Sequence, residues 1–374
     1  MAPTSCVDVV VIGAGIVGAA VARGLAQRGL QVSLLDRREV AGGATQASAG
    51  ALAPYIEAHQ GSALRDLGAS SLATYDTFVA GVVDDTGLAV PYGRPGTVDL
   101  ALDDAAAATL SATAEAMAAE GLEVEWLDGP AVAAAEPSLS PEVRGGLVVA
   151  THGFVDAHAL TRALVASAAA LGASIVPGIG LIHVRQTSGR TPLEVHTDRG
   201  TWSAACVVLA TGAWAGAGEI EGLPVLPVTP VRGQLLRLQA PTPSLFRVIW
   251  SPGCYVVPWA DGSLLVGATV EHVGFDERAT ARGVAALLDG VARVLPTSLG
   301  ATFERVRVGL RPMTPDHVPV IGPSAAVPGL IYATGHYRNG VLLAPWTSEA
   351  VARLIVDGIP VDPRVSPSRF PDAL

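Results

Sequence analysis

The sequence predicts an α/β protein made of two interleaved domains, one on a largely parallel sheet and one α+β on a mainly antiparallel sheet. Three observations lead there. A β-branched run opens the chain and passes through a glycine-rich turn into a helix and a second apolar run. The same alternation of strand and helix returns after residue 145 and again after residue 305. Between these stretches the pattern shifts to short strands with few helices.

At 374 residues the chain is too long for one simple core and suits two domains. Hydrophobic residues make up 50% and charged residues 16%, so a large core can form and disorder is not expected. The formal net charge of −10 argues against a nucleic-acid surface. All 24 basic residues are arginine, which excludes a Walker P-loop, a pyridoxal phosphate Schiff base and other lysine-based covalent chemistry. Cys6, Cys206 and Cys254 are too sparse for a disulfide framework or a zinc site; no metal is expected, and they fit a reducing cytoplasm. Residues 1–6 carry no Lys or Arg, and Asp8 interrupts the apolar run, so no signal peptide is expected. No uninterrupted apolar stretch of roughly 18 residues follows, so no membrane span is expected either.

Residues 7–12 are the β-branched run, the pattern of a parallel strand buried on both faces. Helical periodicity covers 15–27 and stops at Gly29; residues 31–35 form the next strand, ending at Asp36. Residues 42–50 are a small-residue loop, longer than an ordinary connection, and a helix is predicted over 64–83. A strand over 96–102 and an alanine-rich helix over 104–120 belong to an inserted layer. Asp156 is placed to cap a helix ending near Gly172, and residues 175–185, 193–197 and 206–210 read as strands. Strands dominate from 224 to 308, with one helix over 280–295. A short strand over 330–333 and a helix over 347–356 close the chain. One domain therefore takes residues 1–86, 145–222 and 305–374, and the second takes 87–144 and 223–304.

Gly13-Ala14-Gly15-Ile16-Val17-Gly18 matches G-x-G-x-x-G. The glycines allow a tight turn, close approach of backbone to a pyrophosphate, and close packing of helix on strand. The helix N-terminus then offers free N–H groups and the positive end of its dipole to phosphate. Asp36, about 20 residues on, is placed to accept hydrogen bonds from an adenosine ribose, with Arg37 beside it. A purely structural glycine turn would not need the strand, helix and acid to agree in this way. The discontinuous domain is therefore read as Rossmann-like. FAD and NAD share this fingerprint. A second feature turns the reading towards FAD: residues 207–214 form a buried strand that ends at Thr211, Gly212 and Trp214. It resembles the second signature of two-dinucleotide-binding-domain flavoproteins, in which substrate-binding insertions interrupt the nucleotide domain.

Gly335-His336-Tyr337-Arg338-Asn339-Gly340-Val341-Leu342-Leu343-Ala344-Pro345 resembles the flavin-end motif of the glycine oxidases of the thiamine pathway, in the D-amino-acid oxidase superfamily. The resemblance runs over nearly the whole chain, through Ala47-Ser48-Ala49-Gly50, Pro230-Val231-Arg232-Gly233-Gln234, Cys254-Tyr255-Val256-Val257-Pro258, Leu265-Val266-Gly267-Ala268-Thr269 and Gly309-Leu310-Arg311-Pro312. It implies FAD as cofactor. Gly43, Ala44 and Thr45 would belong to the cofactor loop; Ala47, Ser48, Ala49, Gly50 and Leu52, with Gly335 to Leu342, would line the isoalloxazine ring. The backbone at Leu181 would hold adenine. Arg311 would bind the substrate carboxylate, Tyr255 would donate its hydroxyl to the same group, and Arg338 would lie near flavin and substrate. Gly253 and Val270 stand where relatives carry His and Met, which implies a wider pocket and a preferred substrate other than glycine. Gly309 stands where related sarcosine oxidases carry the flavin-bound cysteine, so the FAD would be noncovalent. A homo-oligomer, often a tetramer, is also implied.

The chemistry implied is oxidation of a small amine or D-amino acid to an imine, which water converts to a keto acid and ammonia, while O₂ is reduced to hydrogen peroxide. An arginine suits it because its planar fork holds a carboxylate bidentately and fixes the α-carbon. No general base is expected if the neutral amine reacts, and the sequence offers no evident His–Asp or paired-carboxylate arrangement. Arg311 follows a short strand over 305–310 and precedes Pro312, a strand-end position suited to a site. Tyr255 also fits a plain sheet aromatic, and His336, Asp316 and His317 fit roles in ordering turns. Three alternatives stay open: a dehydrogenase with a non-oxygen electron acceptor, an oxidase of N-methylated or bulkier D-amino acids, and a noncatalytic FAD-binding protein.

Overall fold

The computed structural model describes residues 4–58, 61–187, 193–218, 223–240 and 245–370, apart from the side chains of residues 4, 181 and 182. Two eight-stranded sheets form its frame. In the first, Thr4–Ile12 is central and parallel to both Val32–Leu35 and Gly200–Leu209, which is in turn parallel to Leu330–Thr334. The opening β-branched run sits at the centre because both of its faces are covered. Val9 and Val11 join the core that contains the helices Ile16–Ala26 and Ala157–Ala170, while Val10 and Ile12 join the core on the opposite face. This period-two sorting leaves no face for a polar side chain.

The second sheet runs in the order Thr302–Met313, Thr229–Gln239, Ser263–Gly267, Cys254–Pro258, Val248–Ser251, Thr97–Ala101, Gly145–Val149 and Val124–Asp128. All of its pairings are antiparallel except that of Val248–Ser251 with Thr97–Ala101. Leu236 and Leu238 pack with Leu287, Val291 and Val294 of the amphipathic helix Ala281–Val294, while Leu235 and Val257 face the other way with Ala49. The second face of this sheet is thus turned towards the first domain. A small sheet of Ala51–Leu52, Gly153–Val155 and Tyr92–Gly93 lies between them in sequence.

Three sequence expectations need correction. The boundaries at residues 145 and 305 both cut the second sheet, since Gly145–Val149 and all of Thr302–Met313 pair within it. Strand pairing is non-local, and a change in pattern along the chain does not reveal it. The single strand expected over 175–185 is two strands, Ser174–Val176 and Leu181–Gln186, at opposite edges of the first sheet, parted by a turn with Gly178 at positive φ. The helix expected over 64–83 is two helices, Ala63–Ala73 and Tyr75–Thr86. They part at Thr74, whose hydroxyl donates to the Ser71 carbonyl and competes with the backbone ladder. Among the described residues no helix is long and apolar enough to cross a membrane.

Candidate active site

A cavity of about 470 Å³ runs from the end of the first sheet to the inner face of the second. One end is made by the first strand–turn–helix unit. Gly13 has a φ of 109°, and a side chain there would collide with the Ala210 carbonyl at the end of the neighbouring strand. The turn can therefore tuck between two strands only as glycine. Gly15 caps the helix Ile16–Ala26 without any side-chain hydrogen bond, so the helix N-terminus faces the cavity. Asp36 accepts the Ala14 N–H at 2.6 Å and the Arg38 N–H at 2.8 Å. Burial raises its pKa, against the lowering effect of those two N–H groups and the nearby arginines. The Ile16 N–H donates to Thr45 Oγ1 at 3.1 Å, which holds the small-residue loop against the helix start. Arg38 closes this rim by stacking on Trp214 at 4.4 Å and pairing with both oxygens of Glu277 at 2.9 and 2.7 Å.

These residues suit a dinucleotide on two grounds. The cavity volume is that of a cofactor site, on the scale of several hundred Å³. The Thr211 hydroxyl, at the cavity wall, is buried with no hydrogen-bond partner among the described residues, a state that a bound polar group would relieve.

The far end is assembled from distant segments. The turn around residues 336–342 is fixed from behind, because Tyr75 Oη donates to the Val341 carbonyl at 3.0 Å and Ser71 Oγ to the Leu342 carbonyl at 2.6 Å. His336 is buried against Thr347 at 3.0 Å, and burial drops its pKa to about 3, so it is neutral at physiological pH. Arg311 lies on Thr302–Met313 and donates from Nη1 to the Thr269 carbonyl at 2.9 Å. Its guanidinium occupies the place a side chain at Gly233 would take, and the Tyr255 ring lies where one at Gly267 would be. Behind Arg311 a polar network fixes the segment that carries Thr269. Thr269 Oγ1 donates to Glu271, which also receives Gln234 at 2.8 Å and Arg232 at 2.6 Å. Among the described residues Arg311 forms no ion pair. Tyr255 stacks on Trp250 at 5.0 Å, and burial raises its hydroxyl pKa above 10.0, with Arg311 and Arg338 opposing and Glu57 adding to the rise. It is therefore a hydrogen-bond donor at physiological pH.

Most of the expected site residues meet here. Gly13, Gly15, Ile16, Val17, Asp36, Arg37, Gly43, Ala44, Thr45, Thr211, Gly212 and Trp214 line the nucleotide end. Ala47, Ser48, Ala49, Gly50, Gly309, His336, Tyr337, Gly340 and Val341 line the other end, together with Arg311, Tyr255, Arg338, Gly253 and Val270. Five expected contacts stand one layer back. Ala14 is spent on Asp36 and Gly18 packs on the Gly13 carbonyl; Leu52 and Leu342 belong to the core, and buried Asn339 closes its turn on the His336 carbonyl. Alternate residues of a strand or turn face opposite ways, so a contiguous motif overstates the wall. The Leu181 side chain lies outside the described residues; Ile179, two positions earlier, lines the cavity. A side chain at Gly309 would press on Ala44 and Ala47, so that position has no room for a cysteine as the loop stands.

The sequence reading missed Glu57, Arg38 and Trp250 on the cavity wall. Glu57 ends the short helix Pro54–Glu57, with its carboxylate 3.9 Å from Arg338 Nη1 and its side chain only 13% exposed. Burial raises its pKa, and Arg338 and Arg311 pull it back down. Its neighbour Tyr55 is held by stacking on buried His152 at 5.5 Å and by the Arg65 guanidinium at 5.3 Å. One sequence signal for Glu57 exists: it is the first charge after the uncharged run 40–56.

A glycine turn under a helix N-terminus at one end, a chamber with a half-buried guanidinium at the other, and a two-sheet frame define a flavin-type oxidoreductase. More particularly, the chain belongs to the family of FAD dependent oxidoreductases, whose model matches residues 8–354. FAD is accordingly its cofactor. The chain is similar to the bifunctional protein ThiO/ThiG of Nostoc sp. strain PCC 7120, at 36% identity over 363 residues, which is 94% of this chain and 53% of that protein. It thus spans about half the length of such relatives. It is 34% identical over 351 residues to the glycine oxidase of Geobacillus kaustophilus, covering 93% of this chain and 92% of that enzyme. The crystal structure of glycine oxidase from that organism matches with a TM-score of 0.92 and 32% identity, over 98% of this chain and 99% of the other.

Proposed function

We propose that this protein is an FAD-dependent oxidase of glycine or a related small amine or D-amino acid. One observation carries the reading. Arg311 is a cation inside the cavity without an ion-pair partner among the described residues, set beside the Tyr255 hydroxyl and close to the turn 336–341. A half-buried guanidinium facing a cavity calls for an anion, and a substrate carboxylate supplies it.

FAD, when bound, supplies the two-electron acceptor for the α-carbon hydride. The residues of the chain bind and orient. Arg311 fixes the carboxylate with the guanidinium donors that Thr269 leaves free, and Tyr255 adds a directional O–H. Packing of Ala49 with Leu235 and Val257 excludes water from the inner wall. Neutral His336 is occupied by Thr347 and takes no proton. Gly253 and Val270 at the cavity wall favour a substrate somewhat larger than glycine. The product imine hydrolyses to a keto acid and ammonia, and O₂ is reduced to hydrogen peroxide. A role in the thiamine pathway, assembly as a homo-oligomer and a cytoplasmic location belong to the same proposal; the unpaired Cys6, Cys206 and Cys254 support a reducing compartment.

The test is anaerobic mixing of the FAD-loaded protein with glycine, sarcosine, D-alanine, D-proline and larger D-amino acids. Bleaching of the flavin absorbance by at least one is expected, with stoichiometric peroxide on readmission of air. Absence of bleaching by all of them overturns the reading.

A further inference from the structure

Glu57 has no part in the chemistry above, yet it lines the same chamber as Arg311, Tyr255 and Arg338. It is held there on purpose-built supports, since the one-turn helix that carries it is pinned through Tyr55 to His152 and Arg65. His152 is anchored in turn to Thr97 Oγ1 at 2.8 Å. Arg338, opposite Glu57, is 39% exposed at its side chain and therefore stands towards the mouth, whereas Arg311 lies against the sheet. Two guanidinium groups and one carboxylate leave the chamber with one net positive charge.

We propose that Glu57 is a specificity-determining residue: by neutralising Arg338 it leaves Arg311, among the described residues of this chamber, as the only cation free for substrate, so the site takes amines with one carboxylate and disfavours those with two. The inference rests on the reading of Arg311 as the carboxylate ligand. A second carboxylate that extends from Arg311 towards the mouth meets Arg338 only by displacing Glu57, and it meets Glu57 as a like charge. Specificity of this kind comes from a repulsive element built against the wrong ligand. A glutamine keeps the shape and removes the charge, which frees Arg338 for the second carboxylate.

The test uses the FAD-loaded protein and reads dissociation constants for acetate and malonate from perturbation of the flavin visible spectrum. Steady-state kcat/KM for glycine and iminodiacetate is measured in parallel. Glu57→Gln is expected to raise the preference for malonate over acetate by roughly ten- to a hundredfold, and iminodiacetate is expected to gain on glycine in the same sense. Glu57→Asp, which keeps the charge, is expected to stay near the wild-type ratio. Adding Arg338→Met to Glu57→Gln is expected to abolish the gain. An unchanged ratio in a Glu57→Gln protein of normal FAD content and melting temperature overturns the proposal, as does a gain that survives the loss of Arg338. If Glu57→Gln does not fold, Arg338→Met alone decides: it is expected to shift selectivity further against malonate, and no shift overturns the proposal. Failure of the underlying reading looks different, because Arg311→Ala would then leave acetate binding untouched.

Discussion

The two ends of the cavity are built on opposite plans. The nucleotide end comes mostly from one continuous stretch, in which Gly13, Gly15, Asp36 and Thr45 follow one another through a strand, a turn, a helix and a loop. The far end gathers Glu57, Tyr255, Arg311 and Arg338 from four segments far apart in the chain: a short helix, two strands of the second sheet and a turn. The first plan depends on backbone shape; the second depends on side chains held by packing and hydrogen bonds from behind. Damage at the two ends should therefore look different, and each substitution below separates them.

The largest effect is expected at Gly13. Gly13→Ala adds a methyl group that meets the Ala210 carbonyl at a φ of 109°, so backbone strain and collision combine. Loss of FAD, by at least about a hundredfold in affinity, is expected with reduced stability. A yellow Gly13→Ala protein with stoichiometric FAD would break the claim that backbone shape governs this end. Next comes Arg311→Ala, which should keep its flavin and lose on the order of 10²–10³-fold in kcat/KM. Wild-type kcat/KM would remove the carboxylate assignment.

Glu271→Gln tests the support behind Arg311. Burial pushes the Glu271 carboxyl up, but hydrogen bonds from Arg232, Thr269 and Gln234 and the Arg232 charge bring it below the ordinary value. Its contribution to stability is therefore present above the unfolded pKa of about 4.3 and is lost as pH falls through the lower folded value. The variant should lose about 1.5–3 kcal/mol at neutral pH. Its melting temperature should fall less than that of the wild type between about pH 7 and about pH 3. Parallel curves for the two proteins would contradict the assignment. The smallest effect belongs to the rim. Arg38→Met removes a partly exposed ion pair and a cation–π contact, each worth about 1 kcal/mol or less, so FAD affinity should fall less than about thirtyfold, by titration. A larger fall would mean that side chains matter as much at this end as at the other.

The same contrast governs what the sequence reveals. Gly13, Gly15 and Asp36 are legible without any resemblance, because a turn against a phosphate fixes residue types at fixed spacing. Arg311, Tyr255 and Arg338 carry no local signal that separates them from other arginines and aromatics; the resemblance to glycine oxidases singled them out, and the structure brings them to one cavity. Glu57 and Arg38 escaped both routes, since what places them is packing of a short helix and a contact with Glu277 from the other sheet's loops. The domain boundaries at 145 and 305 missed for a related reason, because pairing of Gly145–Val149 with Thr97–Ala101 is set by partners that lie far away in the chain.

The segment 269–280 joins these two plans physically. At one end the Thr269 carbonyl receives Arg311; further along, Phe275 packs on Trp214 at 5.8 Å and Glu277 pairs with Arg38 on the nucleotide rim. A ligand that orders this segment from either end changes what the other end encounters. If carboxylate binding tightens the hold on FAD by some factor, FAD must tighten the hold on carboxylate by the same factor, because the two binding free energies close a thermodynamic cycle.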